Sequence, residues 1–193
     1  MRARIIETAV QCLYDLGYGA TTFHAVTARA GVSRGAILHH FPSRVDLMAA
    51  VAEYAAEYQN RVVADEVDAS AGERELFLGL TQATWKAMVQ PPAMAFLEVM
   101  MATRADMVLA DRIREVVASF EGLQRNNVQA LAARLGIKDH GRVDTMIRLH
   151  RAAMRGLALE LSLTHDRDAA EDGMALLFHY KRLLTDDLVA GAA

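Results

Sequence analysis

The sequence predicts an all-α protein of about nine helices, three in a small N-terminal domain and the others in a larger C-terminal one. Apolar residues recur at helical spacing along most of the chain, and the alternation typical of strands is almost absent. Only three prolines occur in 193 residues, and 53% of the residues are apolar. A chain of this length and composition can bury a core in one small and one larger helical unit.

The first two predicted helices lie before residue 31. The first helix directs one apolar stripe inward, composed of Ile5, Ile6, Ala9, Leu13 and Leu16. Thr21 or Thr22 caps a short second helix. Three residues of that helix are expected to be buried: Phe23, Val26 and Ala30. Gly31 ends it, because a residue without a Cβ adopts the left-handed conformation at this position with little strain.

A third short helix begins after the cap residue Ser33 and ends before Pro42. Ile37 and Phe41 are four residues apart and face inward. The other sides remain available to a partner and carry Arg34, Gly35, Leu38 and His39. Two short helices joined by a turn, with an exposed arginine opening the second, are typical of a DNA-reading helix-turn-helix, here at residues 22–41.

The later helices follow from capping and stop signals. Ser43 and Asp46 form a capping box that opens a fourth helix. Its stripe contains Leu47, Val51, Tyr54, Tyr58 and Val62. The helices from the fourth onward are predicted at 44–66, 72–89, 92–104, 106–135, 140–163 and 167–189. We expect a DNA-binding domain at 1–48 and an effector-binding and dimerisation domain at 49–193.

At these residues the chain resembles the tetracycline-repressor (TetR) family of bacterial transcription regulators. The resemblance rests on a series of motifs at matching spacing: Gly17-Tyr18, Thr21-Thr22, Ala30-Gly31-Val32-Ser33, Gly35, His40-Phe41-Pro42-Ser43-Arg44 and Leu47. It implies a homodimeric repressor that binds a palindromic operator in double-stranded DNA and is released by a small effector. The DNA-binding residues would be Thr21, Thr22, Ser33, Arg34, Gly35, Ala36, Leu38, His39, His40 and Arg44.

Two positions depart from the family pattern. Leu38 stands where the family usually has a tyrosine that contacts a phosphate, and Ala36 stands in place of a threonine or serine. The loss of two hydrogen-bond donors is expected to lower the DNA affinity or to shift the preferred sequence. A rival interpretation is therefore an all-helical ligand- or partner-binding protein whose helix-turn-helix no longer reads DNA.

Charge and composition agree with a DNA-binding module on a body that does not touch DNA. Five arginines against three carboxylates leave residues 1–48 with a net charge of +2, so the rest carries −5 of the total of −3. The single cysteine, Cys12, is expected to be buried. Because no signal peptide and no run of 18 apolar residues occur, the cytoplasm is the expected location. The scattered histidines match no catalytic, metal or cofactor motif, so the sequence predicts neither an enzyme nor a cofactor.

A methionine-rich apolar set suggests a pocket for a small, largely apolar effector, since methionine side chains adapt to irregular shapes. The predicted ligand-binding residues are Tyr54, Tyr58, Trp85, Met88, Phe96, Met100, Met101, Arg104, His150 and Met154. The alternative is that these residues are ordinary core. His150 is the candidate polar contact, yet a satisfied core histidine would give the same pattern. Arg104 and Glu98 are further candidates for the polar end of a ligand.

The last two helices suggest a dimer interface. Ala152 and Gly156 are small and four residues apart, which allows another helix to approach closely. The interface is predicted to contain Ala152, Gly156, Leu159, Leu163, Leu177, Leu184 and Leu188. The family resemblance implies the same place. The nearby arginines at 148, 151 and 155 are interpreted as an exposed or rim face rather than as an anion site.

Overall fold

A computed structural model describes residues 1–67 and 70–191, and over these residues the protein has nine helices and no strand. The helices are α1 (Arg2–Ala20), α2 (Phe23–Ala30), α3 (Arg34–His40), α4 (Arg44–Glu66), α5 (Glu73–Met88), α6 (Pro91–Ala102), α7 (Met107–Arg134), α8 (His140–Thr164) and α9 (Arg167–Ala190). Each lies within a few residues of its predicted position, so the all-α fold class is confirmed.

The helix ends in the N-terminal part have the expected chemical causes. Thr22 caps α2, because its side chain accepts a hydrogen bond from Ala25 N at 3.2 Å. Gly31 follows α2 in the left-handed conformation, with a φ of 63°. At the start of α4, Ser43 N donates to Asp46 Oδ2 at 3.1 Å and Asp46 N donates to Ser43 Oγ at 3.2 Å. These reciprocal bonds satisfy backbone donors that the helix itself leaves unpaired.

The inward stripe of α1 is shorter than predicted. The other four predicted residues are buried, but Leu16 is 52% exposed. The backbone leaves the helical conformation directly afterwards, at Gly17, where φ is 74° and ψ is 173°. The packed stripe therefore ends at Leu13, and the prediction that Leu16 faces inward is wrong.

The chain divides into two compact units. Unit 1 comprises Met1–Asn60 and Val89–Phe120, so it contains the helix-turn-helix together with α6 and the first half of α7. Its core includes Ile5, Leu13, Val26, Ile37, Phe41, Leu47, Val51, Phe96 and Phe120. Because α1 packs against α6, this unit extends beyond the predicted boundary after residue 48. The functional division at that boundary stays a prediction.

Unit 2 comprises Arg61–Met88 and Glu121–Ala193. Its core cluster contains Phe77, Leu78, Ala132, Ile137, Val143, Met146 and Leu188. Within this unit α5, α8 and α9 contact one another. At Gly173 of α9 an added Cβ would lie 2.8 Å from Leu157 Cδ2 of α8. The close-approach glycine between α8 and α9 of one protomer is thus Gly173, and Gly156 faces open space.

Candidate DNA interface and effector-binding residues

The outer face of α3 is exposed and is not covered by other parts of unit 1. Ile37 of α3 and Phe41, which follows α3, are buried and anchor this helix to the core, whereas Arg34, Gly35, Leu38 and His39 are exposed. Ser33 caps the helix, since its Oγ accepts a hydrogen bond from Ala36 N at 3.1 Å. Within residues 1–67 and 70–191, no carboxylate pairs with Arg34. Its guanidinium is therefore available to an external acceptor.

Thr21 has an internal role instead of the predicted place at a DNA interface. Its side chain is fully buried, and its Oγ1 donates to Gly17 O at 2.8 Å. The hydroxyl satisfies a carbonyl at the kinked end of α1, so it is withdrawn from the surface. A DNA contact through the Thr21 side chain is excluded by this burial, and only Thr22 of the threonine pair is exposed.

Arg44 stabilises the end of α1. Its Nε donates to Thr21 O at 3.1 Å, its Nη2 donates to Tyr18 O, and its guanidinium carbon lies 4.0 Å from the centre of the Tyr18 ring. A cation at the carboxyl end of a helix is favourable because the last carbonyls lack helical partners. A phosphate contact by Arg44 stays a prediction, since part of its guanidinium is already engaged.

Glu98 connects α6 to the same place. Its Oε2 accepts a hydrogen bond from Tyr18 N at 2.8 Å. This amide is free because Gly17 interrupts the helical hydrogen-bonding pattern with its positive φ. Sequence reasoning considered Glu98 only as a ligand contact. A glycine near the end of a helix, here Gly17, indicates a break in the helix, and the next backbone amide then needs another acceptor, such as a side chain.

The predicted ligand-binding residues are divided between the units. Unit 1 holds Tyr54, Tyr58, Phe96, Met100, Met101 and Arg104, and unit 2 holds Trp85, Met88, His150 and Met154. Tyr54 stacks on Tyr58 with a centroid distance of 6.3 Å. Met101 is 54% exposed and Arg104 is also exposed. Met101, near the end of α6, and Arg104, just after it, therefore do not line a buried cavity.

One pocket of unit 2 has a volume of about 190 Å³. Its wall consists of Glu66, Val67, Ala71, Glu75, Leu76, Gly79, Gln82, Ala83 and Lys86. Lys86 forms an ion pair with Glu66 at its edge. None of the ten predicted ligand-binding residues lines this pocket. Its wall carries four charged or amide side chains, whereas the predicted set is largely apolar.

His150 and Lys181 are both buried in unit 2. His150 is 8% exposed, and its Nδ1 lies 3.0 Å from Met146 O, but its Nε2 has no hydrogen-bond partner. Burial and the positive charge of Lys181 lower the pKa of His150. Lys181 is 3% exposed, and burial lowers its pKa to about 7. Sequence reasoning selected His150 and missed Lys181, because a lysine on an amphipathic helix is normally exposed.

Four of the seven predicted dimer residues are exposed in the protomer. On α8, Ala152, Gly156, Leu159 and Leu163 are exposed, and Leu163 is 75% exposed. On α9, Leu177 and Leu188 are buried in the protomer and Leu184 is half-buried, so that part of the prediction is wrong. The exposed apolar residues of α9 include Leu176, Tyr180, Leu183 and Val189. Leu177 faces inward because it shares a helix side with the buried Lys181 and Leu188.

Two arginines of α8 are paired within unit 2. Arg151 Nη1 lies 2.6 Å and Arg155 Nη2 3.2 Å from Glu121 Oε1. Despite the cost of partial burial, these two arginines hold the pKa of Glu121 below its usual value. Arg151 and Arg155 are half-buried, so of the three arginines predicted on an exposed or rim face only Arg148 is exposed in the protomer.

The N-terminal part of the chain is similar to known bacterial regulators. The family model described as "Bacterial regulatory proteins, tetR family" matches residues 5–51, from α1 into α4. An HTH-type transcriptional regulator of Mycobacterium tuberculosis is 24% identical over 129 residues. That match covers 67% of this chain and 66% of the relative, just under two thirds of its length.

Two further proteins are similar over different shares of the chain. The HTH-type transcriptional repressor AcnR of Corynebacterium diphtheriae is 38% identical over 64 residues, 33% of this chain and 34% of that protein. The crystal structure of a TetR-family transcriptional regulator from Cytophaga hutchinsonii is similar with a TM-score of 0.72 and 18% identity. It covers 98% of this chain and 93% of that one, which shows the fold. In the described part of the chain, no helix has the length and apolar character needed to cross a membrane.

Proposed function

We propose that the protein is a TetR-family regulator that represses transcription from a palindromic operator, with its helix-turn-helix as the DNA-binding module. A homodimer holds the two α3 helices at the operator half-sites, and a small, largely apolar effector releases it. Its relatives are transcriptional regulators, which are not enzymes.

The exposed face of α3 is the observation that carries this proposal. Arg34 stands at the first turn of a capped helix, is exposed, and has no carboxylate partner among the described residues. An arginine in this position can donate two hydrogen bonds to a guanine in the major groove or one to a phosphate. The free guanidinium supports a role in reading DNA.

We expect Arg34→Ala to weaken operator binding about tenfold or more, since one specific base contact contributes about 1 to 3 kcal/mol. Fluorescence anisotropy with labelled DNA from upstream of the protein's own gene measures this. Arg114→Ala is the matched control, because Arg114 is exposed on α7 of the same unit and pairs only with Asp111 of its own helix. Equal binding by wild type and Arg34→Ala would show that α3 does not read the operator.

The alternative of a helix-turn-helix that no longer reads DNA rests on Leu38. This side chain is exposed on α3, where it offers an apolar surface in place of a hydrogen-bond donor. The same anisotropy experiment decides between the two functions. Binding to the upstream DNA no tighter than to scrambled DNA of equal length would favour the alternative.

The exposed apolar residues of α8 and α9 support the homodimer. We define the dimer face as Leu149, Ala152, Gly156, Leu159 and Leu163 of α8 with Leu176, Tyr180 and Leu183 of α9. A contiguous run of exposed leucines on two packed helices is unfavourable in water and typical of a protein interface. Two-fold symmetry would pair this face with itself.

Effector binding is expected to quench the fluorescence of Trp85, the only tryptophan, which is half-buried on α5. An effector releases the operator by binding one conformation more tightly, and about 1.4 kcal/mol of difference lowers the DNA affinity tenfold. Titration of hydrophobic metabolites followed by Trp85 emission measures binding, and Met88→Ala, on the same helix, tests whether its methionine contributes. Effectors that alter DNA binding without affecting Trp85 or responding to Met88→Ala would place the site elsewhere.

A further inference from the structure

The exposed side of α3 presents its residues in two rows. Arg34 and Leu38 form one row and Gly35 and His39 form the other, since residues four apart lie on the same side of a helix. All four are exposed, and Leu38 is 38% exposed. A helix that enters the major groove with this side therefore brings an arginine and a leucine to neighbouring base edges.

Leu38 is not part of the core of unit 1. In the described part of this unit, Phe23 and Val32 pack against the core cluster as partly buried side chains, and Leu38 does not belong to that set. Single exposed leucines are ordinary on a protein surface. Leu38 differs because it lies beside Arg34, on the side of the helix that the proposed function directs into the DNA.

The bases determine what an apolar side chain can match in the major groove. Each base pair presents hydrogen-bond donors and acceptors there, and the C5-methyl group of thymine is the only alkyl group among them. A leucine pressed against another base would cover polar atoms without giving them a partner, which is unfavourable. Against thymine it covers a methyl group, so that two apolar surfaces leave water together.

Gly35 leaves room for the close approach that such a contact needs. A Cβ added to Gly35 would meet nothing nearer than Ser33 Oγ, at 3.9 Å, so the packing around α3 does not require a glycine. Nor does the backbone, because the described glycines with a positive φ are Gly17, Gly31 and Gly136. A glycine inside a helix is less stable than an alanine. The absent side chain instead allows the backbone of α3 to lie closer to the base edges.

We propose that Leu38 contacts the C5-methyl group of a thymine in each operator half-site, which rests on the proposed function of α3 as the DNA-reading helix. Leu38 lies about 6 Å further along the helix axis than Arg34, and stacked base pairs are about 3.4 Å apart. The thymine therefore lies about one or two base pairs from the base that Arg34 contacts. Leu38 is then a specificity-determining residue, and its lack of a hydrogen-bond donor is what selects thymine.

Selection of bound duplexes from a random pool by the full chain supplies the DNA for the test. Each thymine of the selected duplex is then replaced in turn by deoxyuridine, which removes the C5-methyl group and keeps the base pair. We expect one replacement in each half-site to weaken binding about fourfold, the ratio that about 0.8 kcal/mol for one buried methyl group gives. Fluorescence anisotropy measures the affinities. Because this change is made in the DNA, a folding defect of the protein cannot imitate it.

Two protein variants test whether the methyl group is read by Leu38. In Leu38→Ala the same deoxyuridine replacement is expected to weaken binding less than about twofold, because the shortened side chain no longer reaches the methyl group. Leu16→Ala is the matched control, since Leu16 is an exposed leucine of α1 in the same unit, and it should keep the fourfold loss. An equal loss in wild type and Leu38→Ala, or a wild type that responds to no thymine replacement, would overturn the proposal.

The selection step separates this proposal from the proposed function. If the full chain enriches no sequence and binds every duplex alike, the repressor function fails, and the thymine contact fails with it. If it enriches a palindrome whose binding does not depend on thymine methyl groups, the repressor function stands, and only the contact of Leu38 fails.

Discussion

Gly156→Leu is expected to convert the dimer to monomers at micromolar concentration and to lower operator affinity on the order of 100-fold or more. Inside one protomer a Cβ at Gly156 meets nothing within 4 Å, so the substitution does not disturb the protomer's own packing. At a symmetric interface each substitution occurs twice, and overpacking of about 1 to 3 kcal/mol per site then weakens the dimer by about 2 to 6 kcal/mol. Light scattering gives the mass, and anisotropy gives the DNA affinity.

A control variant and a second interface variant test whether the loss of the dimer comes from the dimer face. Gly122→Leu is the control, because Gly122 also lies in a helix with open space around its Cβ, but outside the defined dimer face. Leu163→Glu adds a charge to that face at an exposed position, so it is expected to give monomers that keep the helical content of the wild type in circular dichroism. A wild type that is already monomeric, or a Gly156→Leu protein that dimerises normally, would remove the dimer face from consideration.

Arg44→Ala is expected to destabilise unit 1 by about 2 kcal/mol, because it removes two charged hydrogen bonds, to the carbonyls of Tyr18 in α1 and of Thr21 directly after it, and a cation–π contact with Tyr18. For a chain of this size the melting temperature then falls by about 4 to 8 °C, which calorimetry measures. Arg44→Lys should recover only part of this, because an ammonium lacks the planar fork that spans two carbonyls and a ring face.

Arg112→Ala is the matched control for stability. Arg112 is an exposed arginine of the same unit, and its Nε lies 3.7 Å from Asp46 Oδ1, so its loss should change the unfolding free energy by less than about 1 kcal/mol. Equal melting of Arg44→Ala and Arg112→Ala would contradict the structural role of Arg44. Below the melting transition, a salt dependence of DNA binding that is flatter by about one unit in Arg44→Ala would reveal a phosphate contact as well.

Local chemistry made most helix boundaries predictable. The Ser43–Asp46 capping box, the cap at Ser33 and the left-handed Gly31 act between residues that are close in the chain, so their effects can be read without knowing the fold. The same holds for α3, where the spacing of Ile37 and Phe41 orients Arg34 outward. The positions of the candidate DNA-reading residues on α3 therefore followed from the sequence.

The errors occurred where distant residues meet. Thr21 looked like a surface cap, but the kink at Gly17 directs its hydroxyl to a carbonyl. Arg44 and Glu98 both bind backbone groups at the end of α1, and only packing of α4 and α6 against α1 within unit 1 brings them there. Periodicity describes one helix at a time, so it could not assign these partners.

The sequence by itself determined that the protein is all-α, where its helices begin and end, and which face of α3 is exposed, because capping and helical periodicity act over a few residues. Tertiary structure decided the orientation of α9. The predicted interface included Leu177 and Leu188 among the leucines that this helix carries on several sides. Packing against α5 instead buries Lys181 with them, since Phe77 and Leu78 carbonyls bind its ammonium, and this leaves Leu176, Tyr180 and Leu183 exposed.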